Sequence, residues 1–214
     1  MNILADSPAR TEPVDFLTPR RLLQSSGNAP DLPAEIAAFH ELSRVVAENP
    51  RRTLRRLLEI LLGLCDAGSA GLTLLRYRST GEPMMRWAAV SGALAAHEGA
   101  DATSSACPCG MCLDCGATIL LSRPERVFAS LGETNPPIVE QLLVPLYDAE
   151  HKQLGVLWLA HHDSSSHFNA EDAVMAERLA QHLVVALALL EHGRDRQSTL
   201  VMTESYANAR TQPW

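Results

Sequence analysis

The longest purely apolar run in these 214 residues is eight, Leu183 to Leu190, against the roughly 20 that a membrane-spanning helix needs. The start, MNILADSPAR, lacks a basic segment followed by an apolar stretch, so a secretory leader is not expected. Basic charge is also scarce: 18 Lys and Arg against 25 Asp and Glu leave a formal −7, which removes the electrostatic basis for nonspecific binding to nucleic acid or anionic lipid. Neither GxGxxG nor GxxxxGK[ST] occurs, so no phosphate-cradling glycine loop is present, and any catalytic output would belong to another chain. These absences point to a cytoplasmic protein with no membrane and no direct nucleic-acid partner.

Cysteine is sparse but concentrated. Four of the five, Cys107, Cys109, Cys112 and Cys115, fall within nine residues, while Cys65 sits alone in the apolar helical pattern LLEILLGLCDAG. In a cytoplasmic chain of this size the count does not suggest a disulfide framework. Cys65 reads as a small buried hydrophobe.

Residues 1–31 hold Pro8, Pro13, Pro19 and Pro30 and read as a flexible lead with a brief helix near Phe16 to Leu23. Asp31 and Pro33 signal a helix start, with an apolar stripe of Ile36, Phe39, Leu42 and Val46. Asn49 and Pro50 repeat the signal, and Leu54, Leu57, Leu58, Leu61 and Leu62 follow at the spacing of one buried helix face. SAGLTLLRYR and MMRWAAVS form a hairpin around Gly81. A short helix near Ala93 to His97 precedes a loop that carries the cysteines. VEQLLVPLYD and QLGVLWLAHHD form a second hairpin, where Gly155 marks a bulge or a close backbone approach. Asn169 caps a helix of about 22 residues ending near Gly193. A polar tail, 194–214, follows. The helix is apolar on every side at LVVALALL, so it needs cover from the sheet and from a second helix or subunit. That predicts a homodimer through the N-terminal and C-terminal helices.

The order of elements implies an α+β layer arrangement with an antiparallel sheet. From about Leu54 to Leu190 the chain resembles a GAF domain, of the kind found ahead of bacterial histidine kinases. The resemblance is carried by CGMCLD at Cys109 to Asp114, RPERVF at Arg123 to Phe128, PPIVEQLLVPLYD at Pro136 to Asp148, LGVLWLAHHD at Leu154 to Asp163, and FNAEDAVMAERLA at Phe168 to Ala180. It implies one domain over residues 32–193, an antiparallel sheet of about six strands, dimerising helices on one face, and a ligand pocket on the other. The pocket's roof corresponds to about Ala93 to Gly116, with Trp87, His97 and Trp158 as candidate lining. The implied role is a stand-alone sensor read by a downstream signalling protein in trans.

The spacing Cys107-x-Cys109-x2-Cys112-x2-Cys115 contains the C-x2-C-x2-C run that places three thiolates on three corners of an iron–sulfur cubane. Cys107, or remotely Cys65, would be the fourth ligand. Pro108 inside the run departs from the ferredoxin pattern, in which proline follows the last cysteine. A zinc ion held by three cysteines and His97, a thiol–disulfide switch, and cysteines with a structural role alone remain alternatives. The cluster reading implies sensing of oxygen, nitric oxide or redox poise. A covalently attached bilin, which in photoreceptor GAF domains usually uses a cysteine followed by histidine, ranks lower, since no Cys-His pair occurs. His161 and His162 end a strand and read as structural histidines, and His40, His151, His167, His182 and His192 show no metal spacing. An enzyme like the free methionine sulfoxide reductases would need a GVCG turn and a cysteine just before the Val144-Pro145-Leu146 strand. Residues Ile138 to Leu143 contain none, so a non-catalytic module is expected.

Overall fold

The computed structural model describes Leu17–Pro19, Pro33, Ile36, Ala37, His40, Glu41 and residues 50–209. The centre is a seven-stranded antiparallel sheet. Strands β1 (Leu17–Pro19), β2 (Ser69–Tyr77), β3 (Pro83–Gly92), β4 (Asp101–Thr103), β5 (Ile119–Ser122), β6 (Glu140–Tyr147) and β7 (Gln153–His161) lie in the order β1-β5-β6-β7-β2-β3-β4. The α+β class is as expected, with six strands in the body of the domain and β1 added at one edge.

The added strand corrects the expected helix near Phe16 to Leu23. Leu17, Thr18 and Pro19 pair with Leu121, Leu120 and Ile119, and an edge strand is where a residue without an N–H fits. Of the helix expected from Pro33, the positions Pro33, Ile36, Ala37, His40 and Glu41 are helical. Phe39, Leu42 and Val46 lie outside the described residues.

Both sheet faces are covered, which is why the inner strands carry apolar residues at successive positions rather than at alternate ones. On one face, Leu142, Val144, Leu157 and Leu159 pack against α1 (Pro50–Leu64), through Leu57, Leu58 and Leu61, and against the long C-terminal helix, through Ala173, Ala176, Leu179 and Leu183. On the other, Leu143, Val156, Trp158 and Ala160 pack against α2 (Pro108–Cys115), through Cys109, Cys112 and Leu113, and against Leu94, Phe128 and Leu131; short turns lie at Ala95–His97, Pro124–Arg126 and Ala129–Leu131.

Gly155 serves both roles expected of it. The pairing of β6 with β7 shifts between Leu146 and Tyr147, opposite Gly155 and Gln153, and a Cβ on Gly155 would collide with the Thr73 carbonyl of β2.

The C-terminal helix, α3 (Ala170–Ala209), runs 40 residues and passes through Gly193. An interior glycine costs only about 1 kcal/mol relative to alanine, and the Arg, Gln, Leu, Met, Glu and Ala residues that follow favour helix, so the expected stop and polar tail are replaced by continuous helix. Its start is a capping box: Asn169 Oδ1 accepts from the amides of Glu171 (2.8 Å) and Asp172 (3.1 Å), and Asp172 Oδ2 accepts from the amide of Asn169 (2.9 Å). By length and composition alone, Ala170–Leu190 is apolar enough to cross a membrane, with mean hydropathy 1.5. In the fold its apolar stripe lies on the sheet.

Candidate functional site

The cysteine segment is a helix, not the loop expected from its small residues. Pro108 occupies the first helical position, Cys107 stands extended as the N-cap, and its Sγ accepts from the Gly110 amide at 3.4 Å. Gly116 ends the helix with φ +63° and donates its N–H to the carbonyls of Cys112 and Leu113. Proline at the start and glycine just past the end are helix punctuation. Gly110 is required by closeness, because a Cβ there would strike the Ser104 carbonyl.

Helix geometry decides what the four thiols can do together. Steps of three residues rotate each side chain by about 60° from the last, so Cys109 and Cys112 face inward while Cys115 turns out. Cys107, Cys109 and Cys112 are buried and Cys115 is exposed. Burial raises the thiol pKa values of Cys107, Cys109 and Cys112, so each is held as S–H. Cys107 donates to the Ser104 carbonyl at 3.6 Å and Cys112 to the Ala117 carbonyl at 3.7 Å. An iron–sulfur or zinc site needs four thiolates, or three and an imidazole, directed at one centre. This helix instead directs buried thiols into apolar packing, and among the described residues no group of three or more His, Cys, Asp or Glu side chains is arranged to hold a metal ion. Cys65 belongs to the core on the opposite sheet face, so it does not complete the set. The helical arrangement therefore does not fit the expected centre.

What α2 does build is a cavity of about 90 Å³ between its N-terminal turn and strands β3, β4 and β6. Trp87, His97, Cys107 and Cys109 line it. Trp87 and His97 meet edge to face, 6.2 Å apart at 72°. Trp158 does not line the cavity. It lies fully buried behind Trp87 at 4.8 Å, its Nε1–H donating to Thr73 Oγ1 at 2.9 Å.

One lining residue escaped the sequence reading. Gln141 is 1% exposed, and its Oε1 is buried without a hydrogen-bond partner. On β6 it shares the phase of Leu143, which packs in the core on this face of the sheet. The preceding Glu140, on the other face, is satisfied by the Phe168 amide at 2.7 Å and by His167 at 3.2 Å. A polar residue in the apolar phase of a strand covered on both faces was the available signal. A larger open groove of about 660 Å³ lies across the sheet between β6 and α3, lined by Tyr147, Asp148, His151 and Glu177 among others. It contains neither of the two buried unpartnered polar atoms found among the described residues, so the smaller cavity is the candidate site.

A sheet with helices on one face and a roofed cavity on the other is the arrangement that the resemblance implied, and a family model of the GAF domain matches residues 47–188. The chain belongs to the GAF domain family. Among solved structures it resembles the GAF domain of a phosphoenolpyruvate-protein phosphotransferase from Coxiella burnetii, with TM-score 0.61, 19% identity, and 78% of this chain and 99% of that one covered. It also resembles the free methionine-R-sulfoxide reductase from Neisseria meningitidis, solved with its substrate, with TM-score 0.59, 18% identity, and coverage of 79% and 96%. A third is the GAF-B domain of DevS from Mycobacterium smegmatis, with TM-score 0.53, 21% identity, and coverage of 69% and 99%. Comparison with curated protein sequences gives no match. GAF domains are signalling and sensing modules that can bind small ligands, and most are not enzymes.

Proposed function

We propose that this GAF domain senses a small molecule held in the cavity beneath α2 and passes its occupancy to the helical face. The observation that supports the reading is the cavity itself, walled by Trp87, His97, Cys107 and Cys109 on the sheet face away from α1 and α3. A link to the helices starts from the same wall. Glu98, next to His97, accepts from the Val90 amide at 3.2 Å and pairs with Arg55 of α1 at 3.1 Å. Such an exposed pair contributes little stability, but it makes the position of the Ala95–His97 turn mechanically visible to α1. A ligand that orders this turn biases α1, and α1 packs on α3. The output is a change in the association of those helices between two copies of the chain, or with a downstream partner.

Two other readings are less well supported. Nucleophilic catalysis by the loop cysteines needs a thiolate, whereas burial holds Cys107, Cys109 and Cys112 as thiols. A thiolate-ligated iron–sulfur or zinc centre would require α2 to unwind. Stoichiometric iron and sulfide, or zinc, in protein purified without air would restore the metal-centred reading.

The deciding experiment is chemical-shift mapping of a fragment library on isotopically labelled protein. Hits should perturb Trp87, His97 and residues 107–109 first and α1 second, with the α1 response reduced in Arg55→Ala. A library whose hits all map elsewhere would reject the cavity as the sensing site.

A further inference from the structure

The four-cysteine segment holds one feature that the cavity does not use. Cys115, the last residue of α2, is exposed, while Cys112, three residues earlier, is fully buried. The two sulfurs are close enough for a charge on Cys115 to oppose ionisation of Cys112. A reachable thiol beside a sheltered one is the pairing that thiol–disulfide exchange uses: the first captures a small disulfide, and the second displaces the captured half.

In an intact helical turn the β-carbons of residues three apart stand about 5–6 Å from each other, against about 3.5–4.5 Å in a disulfide. Joining Cys112 to Cys115 therefore requires the last turn of α2 to unwind. That turn is weakly held. The Gly116 amide is shared between the carbonyls of Cys112 at 3.1 Å and Leu113 at 3.2 Å, and the Cys112 S–H reaches the Ala117 carbonyl only at 3.7 Å. Helix ends fray, and Gly116 at φ +63° already ends the regular backbone beside Cys115. Cys109 and Cys112 have no such freedom, because their turn lies inside the helix and both are buried.

We propose that Cys112 and Cys115 are a reversible oxidation site for small-molecule disulfides, and that closing their bond unwinds the end of α2 and displaces Gly116, Ala117 and Thr118 next to α3. These three residues line the same open groove as Glu177, Gln181 and Val184 of α3. Oxidation thus reaches the helical output as a second input, independent of what occupies the cavity. In the first step Cys115 gives up its proton and its sulfur attacks one sulfur of the small disulfide, whose S–S bond breaks; the released half takes up a proton and leaves as a thiol. In the second, Cys112 loses its proton and attacks the Cys115 sulfur, releasing the other half as a second thiol. Two protein thiols are oxidised by two electrons, and one small disulfide is reduced to two thiols. Cys112 need not be reached from solution, since its target arrives tethered three residues away.

The test incubates the reduced full chain, kept from air, with oxidised glutathione and follows the intact mass. The parent should pass through a glutathione adduct to an adduct-free product in which three of the five cysteines remain open to alkylation after denaturation. Cys115→Ser should take up no glutathione. Cys112→Ala should keep the adduct, losing it more than about tenfold more slowly because the tethered thiol is gone, and Cys109→Ala should behave as the parent does. In labelled protein the amide resonances of Gln181 and Val184 should move on oxidation of the parent, return with dithiothreitol, and stay in place in the adduct of Cys112→Ala. A parent that keeps its adduct, or a Cys109→Ala variant that cannot release it, overturns the pairing; the first result depends on no substitution. A disulfide that forms without moving Gln181 and Val184 overturns the route to α3. None of these results alters the cavity reading, which the fragment mapping tests separately.

Discussion

The indole of Trp158 fills the space that a β-carbon on Gly71 would occupy. The two residues face each other across the β2–β7 pairing, and the missing side chain on one strand makes room for the largest side chain on the other. That fit lets Trp158 Nε1 reach Thr73 Oγ1 and back the cavity-lining Trp87. Gly71→Ala is therefore expected to destabilise the fold by about 1–3 kcal/mol through overpacking. Urea unfolding followed by tryptophan emission measures it, and an unchanged midpoint would show that the indole relocates without cost.

Burial raises the thiol pKa values of Cys65, Cys107, Cys109 and Cys112 above the ordinary value of 9.0. Above that pH the unfolded chain loses these protons while the folded chain keeps them. Unfolding then releases protons, and stability falls as pH rises, by at most about 1.4 kcal/mol per pH unit for a thiol that stays protonated in the fold. The melting temperature should drop between pH 8.5 and 10.5, and the double substitution Cys109→Ala, Cys112→Ala should flatten that drop relative to the parent. Equal slopes in the two proteins would refute the assignment.

Cys115 closes α2 on its exposed side, whereas the other four cysteines are buried. Native protein treated with a thiol-specific reagent should consume one equivalent rapidly. Peptide mapping should place the label on Cys115, with the remaining four reacting only as the fold opens. Rapid labelling of Cys109 or Cys112 would mean that α2 opens readily, the behaviour that a metal-loading role requires.

The framework of the fold was readable because its signals are local. The leucine spacing of Leu54 to Leu62, the turn glycine Gly81, and the cap at Asn169 each report structure within a few residues of themselves. The misreadings arose where a partner far along the chain decides the outcome. Leu17–Pro19 becomes a strand only because β5 offers an open edge. Cys109 and Cys112 invite a metal in one dimension, yet Pro108 and Gly116 frame a helix in which those thiols act as small hydrophobes. Trp87 and His97 line the cavity, while Trp158 lies in the layer behind. Gln141 stands beside Glu140 in sequence as an equivalent polar intrusion, and only the fold reveals that one is satisfied and the other is not.

The outer side of α3 supports a prediction about assembly. Val185 and Leu189, one turn apart, are 53% and 45% exposed, and residues four apart share a helix face. The expected outcome is a homodimer in solution that uses this face. Val185→Lys combined with Leu189→Lys should convert it to a monomer without loss of helical signal. Sedimentation at micromolar concentration reads the mass, and a monomeric parent protein would remove association between two copies as the output and leave a downstream partner.

The unpartnered oxygen of Gln141 should weaken the fold. Leaving a buried acceptor unmatched costs about 1–3 kcal/mol, and replacing it with an apolar group of similar size removes that cost. Gln141→Leu is therefore expected to raise the unfolding free energy by an amount in that range. Denaturant unfolding of the parent and the variant measures it, and a variant no more stable than the parent would show that the oxygen finds a donor in solution.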